Sequence, residues 1–194
     1  MDFEKFADDY IKAETEVLQK LDRKKIAKAL EKLTECWENE RDIYIFGNGG
    51  SSATASHFEN DFNKGVSEPL EKKFRFHCLN DNMATVMAVA NDLGFEEVFR
   101  FQLINRVKKD DLIMAISGSG NSKNVINAVE YAKEKGAYII GITGYNGGKL
   151  KELSDLDLHV DVNSMQITED IHMMFDHLMM SALYKSLAGK DHMS

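Results

Sequence analysis

Three groups of residues in this sequence have side chains that can do chemistry. His57 and Asp61 stand four apart in GGSSATASHFEND, a spacing that puts both on one face of a helix and makes them a usable acid–base or metal pair. The stretch TEDIHMMFDH gathers Glu169, Asp170, His172, Asp176 and His177. Glu169 and His177 fall roughly 80° apart around a helix, so both can look into one site about two turns long. His172 and Asp176 are four apart and read as a polar or interface pair with each other. The third group is two turns of one grammar. Gly47-Asn48-Gly49-Gly50-Ser51-Ser52 follows IYIF, and Ser117-Gly118-Ser119-Gly120-Asn121-Ser122 follows LIMAI. Glycines let backbone N–H groups approach an anion closely, serines add hydroxyl donors, and a following helix contributes partial positive charge, so both turns suit phosphate. Neither is a nucleotide loop: Ser52 occupies the third glycine position of GxGxxG, and no GxxxxGK occurs. A lone His57–Asp61 pair is more often a surface hydrogen bond. Its place on a helix launched from a ligand turn favours chemistry, because such a helix carries its first two turns beside the ligand.

The elements that must hold these groups are legible in the hydropathy pattern. Apolar positions at helical spacing in the first forty residues (Phe3, Phe6, Tyr10, Val17, Leu21, then Ile26, Leu30, Leu33, Trp37) predict two amphipathic helices. They have few partners within one layer, and part of their apolar face is expected on another subunit. From residue 42, β-rich runs at 43–46, 74–78, 112–116, 138–142 and 156–160 alternate with helix-length segments. That alternation implies right-handed βαβ crossovers and a mostly parallel five-stranded sheet covered on both faces, an α/β, Rossmann- or flavodoxin-like three-layer sandwich. Ligands of such sheets gather at the carboxyl ends of the strands, where both glycine-serine turns must lie. A closing helix is expected from about Thr168 to Leu187, capped by Thr168 or Ser164. No linker or low-complexity tract interrupts the pattern. The expectation is a single domain over 1–194, with 1–40 for oligomer packing and 41–194 as the sandwich.

Composition narrows the function. The 194 residues are 43% hydrophobic and 29% charged, with a single proline, Pro69, which suits one ordinary globular domain. A net charge of −8 supplies no basic surface for a phosphate backbone, so direct nucleic-acid binding is not expected. No apolar run approaches a membrane span, and the start MDFEKFADDYIK is acidic with no apolar signal core, so the cytoplasm is the expected compartment. Cys36 and Cys78 form neither a CxxC pair nor a disulfide framework and read as small core residues. Met173, Met174, Met179 and Met180 read as core or interface filler.

GNGGS opening a helix, SGSGNS opening VINAVEYAKEKGA, and ITGYNGGKL together resemble the sugar isomerase (SIS) domain. Within that superfamily, GNGGSSATASHF, Asn91-Asp92-Leu93-Gly94-Phe95, SGSGNS and TEDIHMMFDH are similar to the phosphoheptose isomerases, over nearly the whole chain. The resemblance implies an aldose–ketose isomerase converting sedoheptulose 7-phosphate to a manno-heptose 7-phosphate for surface polysaccharides, with its site built between subunits of a homotetramer. It implies Asp61 as general base and His177 as acid–base partner. Phosphate recognition falls to Ser51, Ser117, Ser119 and Ser122, with Asn48, Gly49, Gly50 and Gly118 lining the site and Asn91 and Asp92 on sugar hydroxyls. The family's metal set of His, Glu, Gln and His falls on His57, Asp61, Glu169 and His177, implying zinc. Two of the four are changed here: Asp61 is one methylene shorter than the family's Glu, and Glu169 puts a carboxylate where the family has an amide. Such a zinc ion would polarise the carbonyl or organise the sugar, while tight ligation would make Asp61 a poorer base. The alternative is a non-catalytic SIS protein, a phosphosugar-sensing regulator or a partner-binding tetramer, in whose relatives the positions of Asp61 and His177 do not titrate. Isomerisation of hexose or pentose phosphates is a third reading.

Overall fold

Every second residue of the central strands serves a different side of the molecule, and this alternation divides the core in two. Ile43 and Ile45 of β1 (Ile43–Gly47), with Leu112, Met114 and Ile116 of β3 (Leu112–Ser117), face one layer, while Tyr44, Phe46, Ile113 and Ala115 face the other. The structure is a computed structural model that describes residues 1–189; the expected domain limit at 194 lies outside them. The first layer holds α2 (Arg23–Glu38), α3 (Gly50–Asn60) and α8 (Met165–Ala188). The second holds α4 (Met83–Asp92), α5 (Arg100–Leu103), α6 (Lys123–Glu134) and α7 (Gly148–Leu153). Between them runs a five-stranded parallel sheet in the order β2-β1-β3-β4-β5, with β2 at Phe76–Cys78, β4 at Tyr138–Thr143 and β5 at Leu156–His159. Fully buried on both faces, β1 and β3 read in sequence as continuous apolar runs.

The expected strands are all present, and the edge strand is shorter than its sequence run because Phe74 turns into an aromatic cluster with Phe62 and Phe76. The last helix begins at Met165 with Ser164 as its cap; Thr168 lies inside it, buried. Past Asn60, α3 continues as one wide turn of π-helix, Asp61–Val66, which the sequence pattern did not announce. That turn keeps Asp61, Phe62 and Val66 inward together; π-turns of this kind recur at functional sites.

The N-terminal helix α1 (Phe3–Lys20) buries no residue. It is tied to α8 by the Tyr10 hydroxyl, which donates to Asp170, and it leaves Phe3, Phe6 and Ile11 more than half exposed. Among the described residues no helix is long and apolar enough to cross a membrane.

Candidate functional site

The order β2-β1-β3-β4-β5 reverses direction between β1 and β3, where the chains leaving the two strands part to opposite faces, the place at which ligands of such sheets gather. Both glycine-serine turns leave the sheet there, since Gly47 is in register with Ile116. Their approach is close: a Cβ on Gly47 would come within 2.7 Å of Ser51 Cβ and 2.9 Å of the Ile116 carbonyl oxygen. Gly49, capping α3, has φ 56° and ψ −122°, a conformation closed to side-chain-bearing residues. A reciprocal pair of amide hydrogen bonds, Asn48 to Asn124 at 2.9 Å and back at 2.8 Å, locks the two turns together. Asn124 was not among the residues singled out by sequence; the amide at the start of α6 carried no signal without its partner's position.

Ser117 and Ser122 bring their hydroxyls to 3.2 Å across the second turn, Ser51 is buried at the start of α3, and Ser119 is exposed at the turn's tip. The residues capping α3 and α6 make no side-chain cap hydrogen bond. Within the first turns Ser52 N–H donates to the Gly49 carbonyl oxygen at 3.0 Å and Val125 N–H to Asn124 Oδ1 at 2.9 Å, which leaves the N–H groups before them as the ones placed for an anion. Gly118 packs under Met165 and Thr168 of α8. Asn91 and Asp92 instead end α4 on the exposed surface, where the Asn91 amide donates to Asp92 at 2.7 Å. Among the described residues, no hydrogen bond joins either one to the turns.

α3 and α8 lie side by side in the same direction, Glu169 beside Gly50 and His177 beside His57. The result is a cluster around the ring of His57. Its Nε2 is 3.2 Å from His177 Nε2, 3.5 Å from an Asp61 oxygen and 3.8 Å from an Asp176 oxygen. One ligand atom from each of these four residues lies within 4.8 Å of all the others. Asp61 is further held by the Asn60 amide at 3.1 Å.

Glu169, expected in this set, is replaced there by Asp176. The carboxylate of Glu169 sits against Gly50, so close that a Cβ would fall 2.6 Å from its Cδ; there the N-terminal partial charge of α3 favours an anion. The expected pairing of His172 with Asp176 does not form. Buried among the layers, His172 turns its Nε2 to the Thr143 carbonyl oxygen at 3.3 Å, and burial pushes its pKa down to about 4. Asp176 is fully buried, and neither of its oxygens has a hydrogen-bond partner. Burial, and secondarily the charge of Asp61, pushes its pKa up to about 8. The signal for Asp176 was its adjacency to His177, outweighed in sequence by the equally regular spacing to His172.

The arrangement joins an anion cradle of neutral donors to a cluster of two imidazoles and two carboxylates one helix length away. Comparisons with known proteins identify the family. Residues 8–144 match the family model described as SIS domain. The chain is 36% identical to the phosphoheptose isomerase of Helicobacter pylori (strain HPAG1) over 157 residues, 81% of each chain. It superposes on the structure of a phosphoheptose isomerase from Francisella tularensis with a TM-score of 0.86 at 26% identity, covering 94% of this chain and 96% of that one. For the phosphoheptose isomerase of Neisseria gonorrhoeae the values are 0.85 and 29%, over 94% and 98%. With the serine turns at the switch point and a carboxylate facing an imidazole farther along the helix that leaves the first of them, the chain belongs to the SIS-domain family and is an isomerase of the phosphoheptose isomerase group.

Proposed function

We propose that the protein interconverts sedoheptulose 7-phosphate and D-glycero-D-manno-heptose 7-phosphate in the cytoplasm, supplying precursors of surface polysaccharides. Aldose–ketose isomerisation needs a base to take the proton from the carbon beside the carbonyl and a second group to move a proton at the oxygens. Asp61 takes the carbon-bound proton and returns it to the neighbouring carbon; His177 exchanges the proton of the carbonyl and hydroxyl oxygens. Ser51, Ser117, Ser119 and Ser122 hold the phosphate through hydroxyls and helix N-termini, with Asn48, Gly49, Gly50 and Gly118 shaping the sugar side and Glu169 at its edge. Asn91 and Asp92, exposed at the end of α4 and, among the described residues, not hydrogen-bonded to the turns of their own chain, are assigned to sugar hydroxyls in a site completed between subunits.

The observation that carries this reading is the meeting of Asp61 and His177, from distant parts of the chain, at the same nitrogen of His57. A zinc ion fits the donor set: two imidazole nitrogens and nearby carboxylate oxygens, among them a buried carboxylate with no other partner. His57, Asp61 and His177 with one further carboxylate would hold it, and when bound it would polarise the sugar carbonyl.

The active form is proposed to be a homotetramer with its site completed between subunits. Supporting this are the exposed Phe3, Phe6 and Ile11 of α1, and Met83, Met87, Leu93 and Phe95 on and after α4. An open groove of about 610 Å³ along α8, lined by Met173, Met174, Leu178 and Ala182, also reaches His177.

Incubating the protein with sedoheptulose 7-phosphate and following the aldose product by NMR, with and without a chelator, tests the proposal. Turnover is expected. Binding of the sugar phosphate without turnover in either condition would establish the sensor reading instead.

A further inference from the structure

We propose that Asp176, and not Glu169, is the carboxylate that closes the cluster of His57, Asp61 and His177 into a cage for a divalent cation of the zinc class. The assignment rests on reading this cluster as the isomerase site. Three observations carry it. First, both Asp176 oxygens are buried with no hydrogen-bond partner, a costly state for a carboxyl group in either protonation state that a cation would relieve. Second, the four ligand atoms lie within 4.8 Å of one another, and the separations from His57 approach those of ligands around one ion. Zinc bonds of about 2.0–2.1 Å in a tetrahedron set neighbouring ligand atoms about 3.3 Å apart. The separations from His57 Nε2 are 3.2 Å to His177, 3.5 Å to Asp61 and 3.8 Å to Asp176. Two imidazole nitrogens facing each other at this distance present lone pairs that one cation satisfies together. Third, the Glu169 carboxylate lies outside the cluster, beside Gly50 at the first turn of α3, about 10 Å of helix rise before His57. Asp176 and His177 are consecutive on α8, so one reaches the cluster from the buried side and the other from the solvent side. Two carboxylates also balance the charge of a divalent ion.

The test is zinc affinity of the full chain, measured by competition with a chromophoric chelator, together with zinc-edge anomalous diffraction from crystals of the wild type. The wild type is expected to hold about one zinc per chain, with an Asp176 oxygen about 2.0–2.2 Å from the ion. Asp176→Asn is expected to weaken binding more than about 100-fold, beyond the 10–100-fold loss usual for a group behind the ligands, and Glu169→Gln to change it less than about threefold. No zinc binding by the wild type, a loss of tenfold or more in Glu169→Gln, or an anomalous peak on Glu169 would overturn the assignment, even should Asp176→Asn fail to fold. Turnover of sedoheptulose 7-phosphate is read separately on chelator-treated and zinc-loaded protein. Zinc held by Asp176 without turnover would sink the isomerase reading alone; turnover without zinc binding would sink this assignment alone.

Discussion

His57 Nε2 faces one imidazole and two carboxylates, so each neighbour's chemistry depends on the others. Asp61 is mostly buried yet keeps the Asn60 amide and the His57 ring as partners, whereas His177 stands exposed on the solvent side of the cluster. That asymmetry suits a base held in place and an acid–base partner that can reach sugar oxygens. Asp61→Asn and His177→Ala are each expected to lower kcat by about 10²-fold or more, the usual loss for a removed acid or base, with the oligomer intact. Activity above about a tenth of wild type in either variant, in the NMR assay, would reassign the roles. The π-turn beginning at Asp61 widens the helix there and keeps this shorter carboxylate inward at the cluster.

At the scale of elements, the work is done by two strand-to-helix turns and two parallel helices. The first turn depends on Gly49, whose positive φ is a backbone requirement, since nothing lies within 4 Å of a Cβ placed there. Gly49→Ala should therefore cost conformational energy without a clash, about 1–3 kcal/mol, read as a lower urea midpoint. With the turn proposed to hold the phosphate, KM for the sugar phosphate should rise as well. An unchanged midpoint would show that the turn relaxes freely. Along α8, alternate commitments are visible: Glu169 to the start of α3, His172 to β4 through the Thr143 carbonyl, and Asp176 and His177 to the cluster.

For the whole molecule, two consequences follow from what is buried and what is left bare. His172 is uncharged in the fold down to about pH 4 but takes a proton near pH 6.5 when unfolded. At this residue the unfolded chain therefore binds more protons between those values, and the contribution of His172 to stability falls as pH drops through that window. Asp176, raised to about 8, contributes the opposite slope, so His172 is read by difference against a variant. Wild type should lose up to about 2 kcal/mol more than His172→Gln between pH 6.5 and 5, measured by urea unfolding at each pH; equal slopes would refute the assignment. The bare surface gives the second consequence. Met83→Lys with Met87→Lys, both 62% exposed on α4, should leave each chain folded by circular dichroism while lowering the assembly mass in light scattering. If the site is completed between subunits, turnover falls with the mass; a full-mass variant would place the interface elsewhere.

The sequence by itself determined the layered fold and the end of the sheet at which both glycine-serine turns emerge. Apolar runs of strand length separated by helices admit few arrangements, and glycine-serine turns after β1 and β3 must emerge at the strands' carboxyl ends. It also brought His57, Asp61 and His177 to notice, because helical spacing is a local property readable from residue numbers. Local spacing was equally regular for His172–Asp176 and for Glu169–His177, and it does not say which neighbour a side chain on a buried helix will meet. Only the packing of α8 along α3 and its wide turn decided that, sending Asp176 to the cluster, Glu169 to the helix start and His172 to the sheet. The physical reason is that periodicity fixes a side chain's direction from its own axis, while its partner depends on the angle and offset at which two helices close a common core.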